Sequence, residues 1–234
     1  IYTGVVIAKI EDKDARNDFV DEATGAAKSL SANLMAVGLA GGGAASLNIN
    51  PLTTIAAIKA GAVFAGASPT TISAENVADN NLAIAKAFGL PDLHGMTVIT
   101  TNDTAGQANN LFNPASLSPA AKYGAVLAAL SGIDEAHGGN MQTTIDQMAS
   151  GISVGADGAT LPAEITQLLI EGAKTAAPRT PGSGTTALTS IISELTSRTS
   201  PSVSINSASA DNIISGSEQT ITLTGTTLAG ATVT

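Results

Sequence analysis

Cysteine and tryptophan are both absent from the 234 residues. Without cysteine, disulfides, thiolate metal sites, iron–sulfur clusters and thiol catalysis are excluded together. Histidine is reduced to His94 and His137, so most acid–base and metal-centred schemes lose their usual side chains. Aromatic residues make up 3% of the chain while hydrophobic residues make up 44%. A core of this composition is mainly Ala, Val, Ile and Leu, and it packs by bringing backbones close. Positive charge is scarce too: 10 Lys and Arg stand against 19 Asp and Glu, a net charge of −9. That balance opposes binding to nucleic acid and to anionic lipid, which both depend on clustered cations. No apolar stretch approaches the roughly 20 residues a membrane helix needs. Neither nucleic acid nor membrane insertion is therefore expected.

What is present divides into three parts. Residues 1–49 read as β structure with an acidic loop, residues 50–198 as a bundle of helices, and residues 199–234 as a Ser-rich linker running into further strands. Ile1–Ile10 alternates as a strand does rather than as a signal peptide, and Leu34–Leu39 and Ser46–Ile49 read as further strands around Gly41-Gly42-Gly43. Helix starts are marked by capping residues: Asn50 before Pro51, Ser73, Ser118 before Pro119, Asn140 and Thr160. A sixth helix is expected over about 185–198. In the third, Tyr123, Val126, Leu127 and Leu130 form one apolar stripe. The polar, Gly- and Asn-rich segment from Asn102 to Pro114 is long enough to be functional or mobile. Near the C-terminus, Thr220–Thr224 and Ala231–Thr234 alternate Thr with aliphatics around a turn at Gly225-Thr226-Thr227. With β structure at both ends, the sequence has the form of a piece excised from a longer protein. The fold class expected is mainly α: an Ala-rich helical bundle with an N-terminal β segment and a C-terminal β fragment.

Candidate chemistry is sparse. Ser131, Asp134 and His137 stand three apart on one helix, which invites a catalytic triad. Steps of three turn the outer two residues across about 240° of the helix, so they do not converge on one reacting atom. The helix-end reading, with His137 at the negative pole ahead of Gly138-Gly139, accounts for the same residues. His94 follows Pro91-Asp92-Leu93 in a loop and reads as a surface histidine. The Gly-rich stretches lack the lysine of a phosphate loop and the spacing of a dinucleotide fingerprint. No catalytic residue and no organic cofactor is assigned. A carboxylate hydrolase built on Asp134 or Glu135 would need a second carboxyl group about 5–9.5 Å away in a cleft.

One cluster has the chemistry of a cation site. Six of the 19 acidic residues fall between Glu11 and Glu22, namely Glu11, Asp12, Asp14, Asp18, Asp21 and Glu22. Carboxylates on a flexible segment suit Ca²⁺, which takes about 6–8 oxygen ligands. Asp12, Asp14, Asp18, Asp21 and Glu22 are the candidate ligands. Asp211 and Glu218, with Asn212, form a second oxygen set near the C-terminus. Lys13 and Arg16 inside the first run favour the alternative of a solvated loop.

Three stretches carry a resemblance: Tyr2-Thr3-Gly4 leading to Asp21-Glu22-Ala23-Thr24-Gly25, then Asn48-Ile49-Asn50-Pro51-Leu52-Thr53-Thr54, then Lys122-Tyr123-Gly124-Ala125-Val126-Leu127-Ala128-Ala129-Leu130-Ser131. Together they resemble the helical domain that interrupts tandem immunoglobulin-like repeats in very large secreted bacterial surface proteins, the adhesins of RTX or biofilm-associated type. Residues Ser204–Ala208, Asp211–Ile214, Thr224–Thr226 and Ala229–Thr234 are similar to the opening strands of such a repeat. The resemblance implies a secreted, cell-surface location and Ca²⁺ at repeat junctions. It also implies a non-enzymatic role in adhesion, biofilm cohesion or surface scaffolding. The partners implied are neighbouring repeats of the same chain, a cell-surface or matrix ligand, or a second copy. A module binding a glycan or peptide is the alternative, with Tyr123, Phe88 and Phe112 as the few aromatics able to stack on a ligand.

Overall fold

The computed structural model describes residues 2–14, 16–17, 19–21, 26–43, 46–65, 72–155, 158–199, 202–205 and 223–226. About half of the chain is helical, and among the described residues the strands occur in pairs. The N-terminal segment holds two pairs: β1 (Thr3–Ile10) lies antiparallel to β4 (Leu34–Gly41), and β2 (Phe19–Val20) lies antiparallel to β3 (Ala27–Lys28). Among the described residues seven α-helices follow. They are α1 (Pro51–Lys59), α2 (Ala74–Ala87), the short α3 (Thr104–Ala108), α4 (Pro119–Ala136), α5 (Met141–Gly151), α6 (Ala163–Ala176) and α7 (Gly184–Thr199).

Local chemistry sets most of these boundaries. The side chains of Asn50, Ser73, Ser118 and Asn140 each accept a hydrogen bond from a backbone N–H in the first turn of α1, α2, α4 and α5. At Asn50 the cap is reciprocal, since the Thr53 hydroxyl accepts from the Asn50 N–H at 2.9 Å. Gly138 and Gly139, at φ of 72° and 80°, end α4 after His137.

Three expectations need correction here. Ser46–Ile49 is not a strand: its side chains are used instead, Leu47 packing over Gly38 and Asn48 Nδ2 donating to the carbonyls of Leu93 and Met96 at 2.8 and 2.9 Å. Thr160 does not cap α6, whose cap position is Pro162, two residues later, with no side-chain hydrogen bond. Thr160 belongs to β6 (Gly158–Thr160), paired with β5 (Ser153–Gly155) in a hairpin that packs on α2. Gly225 does not form a turn. It pairs with Val203 where β8 (Leu223–Thr226) runs antiparallel to β7 (Ser202–Ile205). The remainder of the C-terminal β fragment lies outside the described residues.

The main core is centred on α4, with α6 and α7 along it. This helix does not present one stripe: Ala121, Tyr123, Gly124, Ala125, Val126, Ala128, Ala129, Leu130 and Ile133 are all buried, on every side. Two glycines explain how an Ala-rich helix becomes central. A Cβ on Gly132 would overlap the carbonyl oxygen of Gly172 on α6, and one on Gly172 would overlap that of Ala129. The two helices thus touch backbone to backbone. A smaller core, with Val5, Met35, Val37, Ala57 and Val77, lies under the β1–β4 pair.

Tyr123 joins the halves. Its hydroxyl accepts from Asn50 Nδ2 at 2.9 Å and donates to the Leu93 carbonyl at 3.2 Å, and burial pushes its pKa up to about 12. Tyr123→Phe strands a buried amide proton of Asn50, while the Leu93 carbonyl keeps its bond from Asn48, so a loss of about 1–3 kcal/mol is expected in urea unfolding. An unchanged midpoint would mean that water replaces the hydroxyl without cost.

Candidate functional site

The richest polar cluster forms where the β2–β3 pair meets the C-terminal end of α4. Asp21 follows β2 directly, and its N–H donates to the Ala26 carbonyl at 2.9 Å, closing the connection to β3. This turn carries the carboxylate inward: Asp21 is 2% exposed. It accepts from Lys28 Nζ and from Ser131 Oγ on α4. Lys28 also reaches Glu135 Oε2 at 3.3 Å. Partial burial pulls the Lys28 pKa down, but Asp21 and Glu135 outweigh it and hold the ammonium above its ordinary value. Beside them Asp134 is 3% exposed, and its buried Oδ1 has no hydrogen-bond partner. Burial raises its pKa to about 6; the carboxylates of Asp21 and Glu135 add to the rise, and Lys28 and His137 oppose it.

These contacts fasten the N-terminal segment to the bundle. Ser31 Oγ donates to the Gly139 carbonyl and accepts from the Met141 N–H, both at 3.0 Å, and the Asn33 N–H donates to Gln142 Oε1 at 3.1 Å. A cleft of about 120 Å³ remains, walled by Phe19, Leu130, Met141, Asp21, Ser131 and Thr144. Pockets for drug-sized ligands run to about 300–1,000 Å³, well above this.

Ser131, Asp134 and His137 diverge as their spacing requires. The Ser131 hydroxyl turns to Asp21, and His137 Nδ1 lies 3.1 Å from Thr144 Oγ1 on α5. No nucleophile–base–carboxylate relay forms among them.

The candidate Ca²⁺ ligands are divided. Asp12 Oδ2 accepts from Ser29 Oγ at 2.7 Å and from the Leu30 N–H at 3.0 Å, and its Oδ1 accepts from the Asp14 N–H at 3.0 Å. The hydrogen bond from Ser29 is the main reason its pKa lies below the usual carboxylate value. Asp14 accepts from the Arg16 N–H at 3.0 Å. Asp21 is committed to Lys28 and Ser131. Among the described residues no three acidic or histidine side chains form a group able to hold a metal. Asp18, Glu22, Asp211 and Glu218 lie outside the described residues.

His94 is not the surface residue its loop position suggests. Both ring nitrogens are buried without hydrogen-bond partners. Burial lowers its pKa, against the pull of Asp92 and of the nearby Val37 and Asn48 carbonyls, which lie outside hydrogen-bond geometry. Of the aromatics considered for ligand stacking, Tyr123 and Phe112 are 0% exposed and Phe88 is 4%. All three serve the core.

No protein-family model, no curated protein and no solved structure matches the chain. Among the described residues no helix is long and apolar enough to cross a membrane.

Proposed function

We propose that the chain is a non-enzymatic structural or adhesive module of a large, secreted bacterial surface protein, of the RTX or biofilm-associated adhesin type. One observation carries this reading. The polar side chains that could have served chemistry are spent as ties, with Asp21, Lys28, Ser31, Ser131 and Glu135 joining the N-terminal β segment to the bundle. Such ties suit a module that transmits load between neighbours in a long chain. The β7–β8 pair is read as the first strands of an immunoglobulin-like repeat, and Ca²⁺ as the cation that stiffens the acidic segment beyond Asp12 and Asp14. The alternative, a glycan or peptide site, has some support in a groove of about 690 Å³ along α7, where Thr186, Thr189, Ser190 and Ser193 face Lys122. It lacks a stacking aromatic.

The test is display of the chain on a non-adherent bacterium, scored for cell clumping and surface attachment in millimolar Ca²⁺ and in EDTA. Clumping or attachment several-fold above an empty display scaffold, and reduced by EDTA, is the expected result. Behaviour like that of the empty scaffold, together with turnover of a glycoside, ester or peptide substrate, would overturn the proposal.

A further inference from the structure

The β1–β4 pair has one edge covered and one open. On the covered edge, the Met35 N–H donates to Thr54 Oγ1 at 2.9 Å, and the Met35 carbonyl accepts from the hydroxyls of Thr53 and Thr54 at 3.0 and 3.2 Å. The Val37 carbonyl accepts from Asn81 Nδ2 at 2.9 Å. Helix side chains thus act as a substitute strand along β4. Because Met35 and Val37 direct their backbone groups away from β1, their register partners Lys9 and Ile7 are non-hydrogen-bonded pairs with them. Alternation then points the N–H and C=O groups of Thr3, Val5, Ile7 and Lys9 outward along the far edge of β1.

Among the described residues only the Tyr2 hydroxyl reaches this edge, donating to the Val5 carbonyl at 2.8 Å. The usual guards of an exposed strand are missing from β1. It has no proline, and its one charge, Lys9, is tied to the carbonyls of Val63 and Phe64.

We infer that this edge pairs with the same edge of a second copy, in antiparallel fashion, making a four-stranded sheet β4–β1–β1–β4 across a two-fold axis. Parity restricts the register, because outward-facing odd residues must oppose odd residues. Centring the axis on Val6 keeps the whole strand overlapped. Val5 then faces Ile7 of the second copy, Lys9 faces Thr3, and Val6 faces itself. No like charges meet. The same register brings Tyr2, 59% exposed, opposite Ile10, 43% exposed. The two large apolar side chains left in water at the ends of β1 become each other's cover, and the Tyr2 hydroxyl yields the Val5 carbonyl to the Ile7 N–H of the second copy. This pairing stands on the open edge and its register, and it does not rest on the adhesin reading.

The test uses the whole 234-residue chain, which has no cysteine of its own. Wild type is expected to sediment as a monomer–dimer equilibrium. Val6→Cys is expected to form a disulfide-linked dimer under mild oxidation much faster than Ala8→Cys. Non-hydrogen-bonded antiparallel partners stand about 4.5 Å apart at Cα, within reach of a disulfide, whereas Ala8 would oppose Gly4. Val6→Lys and Val6→Glu should each weaken association about tenfold or more, and mixing them should restore it. A wild type that stays monomeric at all concentrations overturns the inference. So does a Val6→Cys that cross-links no faster than Ala8→Cys, or a dimer indifferent to both charge variants, since either places the contact elsewhere.

Discussion

Gly132→Ala is expected to destabilise the chain by about 3 kcal/mol, although glycine to alanine within a helix ordinarily stabilises by up to about 1 kcal/mol. The sign reverses because the added methyl falls on the Gly172 carbonyl, and a backbone oxygen cannot rotate away as a side chain can. Relief requires α4 and α6 to separate along their length, which opens gaps beside Ala129, Ile133 and Leu169, all in the main core. For a chain of this size the unfolding midpoint should fall by roughly 10 °C. Gly172→Ala should behave alike, since its methyl meets Ala129 and Ile133. The double variant should cost less than the sum, because the first substitution has already parted the helices. A Gly132→Ala chain as stable as wild type in urea would show that the helices do not approach so closely in solution.

The second large effect depends on pH. Asp134→Asn should leave stability nearly unchanged at pH 4 and raise it by about 2–3 kcal/mol at pH 8. In the native chain the Asp134 carboxyl titrates at about 6 against an ordinary 3.8, so between those values the folded state binds the extra proton. Stability from this group is therefore greatest in acid and is lost as pH rises through 4 to 6. Above that range a charged carboxylate, with an oxygen that has no partner, is held beside Asp21 and Glu135. Asparagine keeps the shape and discards the charge. Asp12, Asp92 and Glu194 have lowered pKa values and weaken the fold in acid, so the wild-type profile alone mixes opposing effects. The difference between variant and wild type isolates Asp134. Two unfolding curves that run parallel from pH 4 to pH 8 would remove Asp134 from any account of pH dependence.

Reading from sequence succeeded where the determinant was local. Asn50, Ser73, Ser118 and Asn140 cap helices because a cap needs only its own next three residues. Thr160 misleads, since its β-branched side chain suits the short β5–β6 pair equally well. The stripe expected on α4 was a partial view. Periodicity identifies a face, but a helix with Gly and Ala on its other sides is enclosed by neighbours that the pattern does not reveal.

The polar cluster was hidden for a different reason. Asp21 was grouped with Asp12 and Asp14 by proximity in sequence, yet its partner Ser131 lies 110 residues away. The spacing of Ser131, Asp134 and His137 speaks against a triad, but nothing local says that Ser131 serves a carboxylate from the N-terminal segment. His94 likewise looks exposed until the Val37 and Asn48 carbonyls close over it.

The span of those ties also sets an order of events. A chain made from its N-terminus releases β2 and β3 long before Ser131, Glu135, Gly139 and Gln142 exist to receive them, at separations of 107 to 110 residues. Closing loops of that length is slow compared with forming helices. The N-terminal segment is therefore expected to dock late, onto a bundle formed around α4 and α6. In that order of events, the buried charge that penalises the finished fold comes into place only when the segment arrives. The step that encloses Asp134 is then the one that its titration opposes.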